Sequence, residues 1–282
     1  MTPPLALHHF TLTDASPLEL VTIAAEVGCG AVCLFVDSPA DAAPGQDLPA
    51  VQFPAVTPAL AGAMKARLAD CGVVVTNIEF FPLGPETRLE AFRPRLALGA
   101  ELGARLAVTH VHDSDPHRAV DTLARFGQLA AEYGLQVGLE FMGLSPACAS
   151  LAKAVALVTA AGQANIAVAV DALHLQRTGG TPAQVRALDP GLIAYAQLCD
   201  GPALADPTTA LDTERYLAEA FDRLAPGEGV FPLPELVRAL PADNWYDVEA
   251  PSPTLAARGI APLERARRAV DAARQLLDHA RR

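Results

Sequence analysis

Residues 136–174 read QVGLEFMGLSPACASLAKAVALVTAAGQANIAVAVDALH, and they contain a complete strand–helix–strand unit. Gln136–Phe141 is a short, mostly apolar run that carries Glu140 near its end. Ala147–Ala161 is rich in Ala and Leu and reads as a helix. Ile166–Val170 is a second apolar run, and Asp171 follows it directly. Short continuous apolar strands joined through a helix are the pattern of parallel strands buried on both faces.

The same unit recurs on either side. Leu5–Phe10 is a first strand, and Ser16-Pro17 opens a helix, as a cap followed by proline should, that ends at Gly28 or Gly30. Ala31–Val36 is a second strand, followed by a Pro/Asp/Gly-rich loop (Asp37–Pro49) and a helix over Pro58–Asp70. Val73–Phe80 and Arg105–Val111 are the third and fourth strands, with helices over Pro85–Gly103 and Pro116–Tyr133. Beyond the sixth strand a helix starts at Thr181, Leu192–Leu198 is the seventh strand and Trp245–Glu249 the eighth, and a helix runs from Pro262 to the end. The segment Pro202–Pro234 is too long for a simple loop and carries a short helix (Thr213–Leu224) and a turn at Pro226–Gly229. Eight βα units in 282 residues predict an α/β chain folded as one (β/α)₈ TIM barrel over residues 1–282. The rival, an open doubly wound sheet, would usually carry GxGxxG after its first strand, and the chain has none there.

Composition narrows the function. The formal charge is −11, which argues against a nucleic-acid partner and against an anionic membrane surface. The cysteines (Cys29, Cys33, Cys71, Cys148, Cys199) are odd in number and none is paired in a CxxC, so they read as reduced, mostly buried thiols of a cytoplasmic protein. Neither a signal peptide nor an apolar run long enough to span a membrane is apparent.

In such a barrel, polar residues that end strands point into the active-site mouth. Strand five ends with Glu140, strand six with Asp171 and, three residues on, His174; strand seven with Gln197 and Asp200; strand eight with Glu249. Burying each of these without a partner would be costly. Two Glu, one Asp and one amide oxygen make an oxygen-rich set that suits one divalent cation, Mn²⁺ or Mg²⁺, and tolerates Co²⁺ or Zn²⁺.

The chain resembles the sugar phosphate isomerase/epimerase branch of the xylose isomerase-like TIM barrels (the AP endonuclease family 2 superfamily). The likeness is densest in VDALHLQRTGG (170–180), AQLCDGP (196–202), PGEG (226–229) and VEAPS (248–252). It implies a metal held by Glu140, Asp171, Gln197 and Glu249. Many members have His where this chain has Gln197; the hydroxypyruvate isomerase-like and dehydroshikimate dehydratase-like branches have Gln. The implied reaction is proton transfer beside a carbonyl of a small polyhydroxy substrate, with Glu140 and Glu249 as catalytic acid and base and His174 as proton donor or substrate ligand. The alternative is a lyase of the 3-dehydroshikimate dehydratase type. Two further readings are a non-catalytic ligand sensor, which intact Glu140 and Glu249 oppose, and an apurinic-site nuclease, which the acidic charge opposes. Relatives are often dimers or tetramers, so a homo-oligomer is compatible with the resemblance.

Other polar residues are candidates for substrate contact. Arg177 either clamps a carboxylate or phosphate or braces Asp200 or Glu228. Glu79 ends strand three and contacts substrate or bonds its own loop. His110 and His112 alternate on strand four and share a face; such a pair either ligates metal or has one member on substrate and the other in the loop network, with His112 assigned the substrate contact. His8 and His9 end strand one, where one should point inward; His9 is assigned that role, against the alternative of a satisfied core histidine. Glu228 reads as loop architecture.

Overall fold

A computed structural model of the chain describes residues 5–36, 53–205 and 211–280. The loop expected over Asp37–Pro49 lies outside the described residues. Eight parallel strands close in sequence order into a barrel: β1 (Leu5–His8), β2 (Ala31–Phe35), β3 (Val74–Leu83), β4 (Leu106–Val111), β5 (Gln136–Glu140), β6 (Ile166–Asp171), β7 (Ile193–Leu198) and β8 (Tyr246–Val248). β8 pairs with β1 through Leu5 and Tyr246, which closes the ring.

The strands carry almost no exposed residue because each is covered outside by helices and filled inside by side chains. The outer layer includes α1 (Pro17–Glu26), α2 (Ala61–Cys71), α3 (Arg93–Glu101), α4 (Pro116–Ala131) and α5 (Leu151–Ala161). α1 starts where Ser16 and Glu19 form a reciprocal capping box, and Asp115 caps α4 by accepting from the His117 and Arg118 N–H groups. Caps of this kind contribute about 1 kcal/mol each. Inside the barrel, Tyr195 packs with Leu106, Val108 and Ala169 as a floor. Gly138 has no side chain because a Cβ there would lie 2.9 Å from Leu106 and 3.3 Å from the Tyr195 ring. No helix among the described residues is long and apolar enough to cross a membrane.

The differences from the sequence reading sit at element ends. β1 stops at His8, and His9–Leu12 is a single 3₁₀ turn. β3 runs on to Leu83, so the following helix begins only at Arg93, after a 3₁₀ turn over Leu89–Phe92. β6 passes straight into α6 (Ala172–Arg177), ahead of α7 (Pro182–Arg186). The long segment after β7 contains α8 (Thr213–Phe221), and α9 (Leu233–Ala239) follows; α10 (Pro253–Ala257) and α11 (Pro262–Ala280) follow β8.

Candidate active site and metal centre

The carboxyl ends of β5 to β8 bring together the side chains expected there. Glu140 is the last residue of β5 and Asp171 the last of β6; Gln197 lies in β7, and Glu249 directly follows β8. All four are buried. One ligand atom each of Glu140, Asp171 and His174 falls within a mutual 4.8 Å.

Asp171 ends a strand and starts a helix at once. Its Oδ1 accepts the His174 N–H at 2.7 Å, which caps α6. Its Oδ2 accepts from Arg223 Nη1 at 2.7 Å. Arg223 is buried. Its Nη1 also lies 3.3 Å from the Glu249 carbonyl oxygen, its Nη2 lies 3.4 Å from Glu249 Oε1, and its Nε donates to the Ala220 carbonyl. A single guanidinium therefore lies against two of the proposed metal-binding carboxylates. Burial alone would raise Asp171, but Arg223 and His174 hold its carboxyl below the usual range. Glu140 and Glu249 are pushed well above theirs, chiefly by burial and then by neighbouring carboxylates, Glu79 and Asp171 for the first and Asp171 and Glu140 for the second.

Gln197 Nε2 donates to Glu249 Oε2. That leaves Gln197 Oε1 buried with no partner, an arrangement that costs about 1–3 kcal/mol if nothing binds it. Three buried carboxylates and a free amide oxygen at neighbouring strand ends are donor types that suit a divalent cation.

His174 has a defined orientation. Tyr216, from α8, receives the Gly143 N–H on its hydroxyl at 2.8 Å, and that hydroxyl is 2.7 Å from His174 Nδ1. With the hydroxyl proton directed at Nδ1, the ring proton sits on Nε2, 3.5 Å from Glu140 Oε1. Tyr216 can approach so closely because residue 143 is glycine; a Cβ there would lie 2.7 Å from the Tyr216 ring. Burial drops the His174 pKa to about 4, so the ring is neutral. His110, also lowered to about 4 by burial, places Nε2 2.8 Å from Glu140 Oε2.

The remaining expectations divide. Glu79 does face the interior, with Oε1 2.9 Å from His8 Nε2. His112 keeps a buried Nε2 with no partner, and burial lowers it to about 4. His9 is not the inward histidine: its Nε2 bonds the Ala15 carbonyl at 3.0 Å and its ring stacks on Phe35. The physical reason is that β1 ends at His8, and in the 3₁₀ turn that follows His9 reaches the Ala15 carbonyl. Arg177 is engaged as a brace. It pairs with Glu219, donates to the Pro202 carbonyl at 2.7 Å and lies over the Phe231 ring, so its partner is neither Asp200 nor Glu228. Asp200 instead accepts the Gly201, Gly227 and Phe231 N–H groups, which fixes the turn beside Arg223. Arg223, Tyr216 and the role of His110 escaped the sequence reading. The one sign of Arg223 was its place just before the Pro226–Gly229 turn.

The xylose isomerase-like TIM barrel family model matches residues 21–280. The chain belongs to that family. No curated protein matches it in sequence. Among solved structures it is similar to a xylose isomerase-like TIM barrel/4-hydroxyphenylpyruvate dioxygenase fusion protein (19% identity, TM-score 0.73), with 95% of this chain covered but only 41% of that one. It is also similar to an IolI protein with a zinc atom (15% identity, TM-score 0.76, 99% of each chain). A third is D-psicose 3-epimerase in the presence of D-fructose (15% identity, TM-score 0.69, 97% of each chain). At these identities the likeness is one of fold.

Proposed function

We propose that this member of the family is a divalent-metal-dependent isomerase or epimerase that moves a proton beside the carbonyl of a small polyhydroxy compound. The observation that carries the reading is the pair Glu140 and Glu249. They stand on separate strands at one mouth, both held well above the usual carboxylate range, with Asp171 and the unpartnered Gln197 oxygen between their strands. Glu140, Asp171, Gln197 and Glu249 would hold the cation, Mn²⁺ or Mg²⁺ by donor type, with Co²⁺ or Zn²⁺ tolerated. When bound, the cation supplies Lewis acidity that lowers the cost of negative charge on the substrate oxygens.

The chain's own residues do the rest. One of Glu140 and Glu249 removes the proton from the carbon beside the carbonyl and the other returns it. His174, neutral and protonated on Nε2, donates to a substrate oxygen, and His112 Nε2 is a further contact on the β4 side. Burial of the cluster keeps bulk water from the reacting carbon.

The test is solvent exchange. Ketoses are incubated with the protein and Mn²⁺ in D₂O, and loss of the proton beside the carbonyl is followed by NMR. Exchange should vanish in Glu140→Gln and Glu249→Gln and in chelator-treated protein. Undiminished exchange in Glu140→Gln overturns the reading, and release of water from dehydroshikimate without ketose exchange transfers it to the lyase class.

A further inference from the structure

Beneath the mouth, four side chains from four consecutive strands of the ring meet in the interior. They are Asp247 of β8, His8 of β1, Cys33 of β2 and Glu79 of β3. Each is buried, the first three completely. One ligand atom each of His8, Cys33 and Asp247 lies within a mutual 4.8 Å, and Glu79 Oε1 lies 2.9 Å from His8 Nε2.

The polar atoms of this group are poorly satisfied. Both Asp247 oxygens, His8 Nε2 and Glu79 Oε1 are buried without a partner in hydrogen-bonding geometry. His8 Nε2 and Glu79 Oε1 are close but off the line that a hydrogen bond needs. The Phe10 N–H occupies His8 Nδ1 at 3.0 Å, so Nε2 is the nitrogen left for the cluster. Asn77, the neighbouring amide donor, divides its Nδ2 between Tyr195 Oη at 3.3 Å and the Asp247 carboxylate. Buried native polar groups are nearly all satisfied, and those that are not call for a bound species. His8 and Glu79 pair with each other, yet ligand-type atoms of three buried side chains still converge on one point between β8, β1 and β2, as the shell of an ion does.

We propose that His8, Cys33, Asp247 and Glu79 form a second metal site, separate from the mouth, for a borderline-soft cation of the Zn²⁺ class. One imidazole nitrogen, one thiolate and two carboxylates make four donors, the number such a cation takes in closed protein sites. The thiolate distinguishes this site from the mouth, whose proposed donors are all oxygens. Binding displaces the thiol proton of Cys33 and any proton on His8 Nε2 to solvent. Asp247 and Glu249 are two residues apart and face the same side of their strand, so a cation on Asp247 would also fix the strand end that bears Glu249. The site does not depend on the function proposed for the mouth.

The experiment titrates Co²⁺ into chelator-stripped protein and reads the near-ultraviolet thiolate-to-cobalt charge-transfer band. Zn²⁺ content per chain is measured in parallel. The wild type should show the band. Cys33→Ser should lose it together with one equivalent of Zn²⁺, and Asp247→Asn, which keeps the thiol, should weaken or abolish it. Cys199 lies beside Arg223 at the mouth, so Cys199→Ser is the control and should keep the band. Glu140→Gln, which removes a mouth ligand only, should keep it too, whatever becomes of the mouth metal. No band in the wild type at saturating Co²⁺, or a band that survives Cys33→Ser, overturns the proposal; the first result would leave a buried water as the group that satisfies these atoms. If Cys33→Ser does not fold, anomalous X-ray scattering at the zinc edge on the wild type decides, by density or its absence between His8 and Asp247.

Discussion

Arg223 Nη1 donates to Asp171 Oδ2 at 2.7 Å where neither side chain reaches solvent. Removing one partner of such a pair leaves a buried charge without compensation, at a cost of roughly 3–5 kcal/mol. Here the cost falls on two carboxylates, because the same guanidinium also lies 3.4 Å from Glu249 Oε1. Arg223→Met, which keeps the stem and removes the charge, should lose stability of that order in urea denaturation of the metal-free protein. Added Mn²⁺ should recover part of the loss by supplying positive charge to the same carboxylates. A metal-free variant as stable as the wild type would show that Arg223 does not neutralise the cluster.

Gln197 is where this chain departs from the many family members with His, and its free Oε1 makes the proposed donor set harder. Gln197→His replaces an amide oxygen with an imidazole nitrogen. Affinity for Zn²⁺ relative to Mn²⁺ should rise on the order of tenfold, about 1.4 kcal/mol. Competition between the two ions, read by elemental analysis after dialysis against both, checks the ratio. An unchanged ratio would mean that residue 197 does not touch the cation.

The strand-end residues were legible in the sequence because an acidic group after an apolar run has few structural uses. Glu140, Asp171 and Glu249 stand where the alternation of short strands and helices put them. Arg223 was not legible, because it comes from the irregular segment after β7 and reaches Asp171 through a turn held by Asp200 backbone bonds. Contacts made across 52 residues by a loop carry no periodic signal. Asp247 is a different case. It lies two residues before Glu249, so the two-residue period of a strand put both on the inner face, and an apolar residue would have been expected there. The choice between His8 and His9 turned on where β1 stops, and strand ends are the least determined feature of such a reading.

His9 makes acid stability a test of the correction at β1. Burial lowers its pKa from 6.5 to about 4, so between those values the unfolded chain binds a proton that the folded chain refuses. Stability from this group is complete above pH 6.5 and is lost as pH falls toward 4, by roughly 3 kcal/mol at about 1.4 kcal/mol per pH unit. His9→Phe keeps the stack on Phe35 but leaves the Ala15 carbonyl unpaired, at about 1 kcal/mol or more. The variant should therefore be less stable than the wild type at pH 7, and the gap should close and then reverse as pH falls toward 4. Parallel denaturation curves from pH 7 to 4 check this, and a constant gap would place His9 in contact with solvent.

Tyr216 links three separate pieces of the mouth, since its hydroxyl accepts from Gly143 after β5 and donates to His174 after β6. That second bond decides which nitrogen of His174 carries the proton. Without it, the neutral ring is free to place its proton on either nitrogen, and the Nε2–H directed at Glu140 is no longer enforced. Tyr216→Phe keeps the ring stacked against His174, now at 5.7 Å between centroids, and removes only the hydroxyl. Two readouts separate a positioning role from a merely structural one. In ¹⁵N NMR the His174 nitrogens should shift from a single Nε2–H tautomer toward a mixture. Turnover of an exchanging ketose should fall about tenfold, equivalent to about 1.4 kcal/mol of barrier, with KM little changed. If the nitrogen shifts match those of the wild type, the hydroxyl does not set the tautomer, and any lost activity then comes from the Gly143 bond alone.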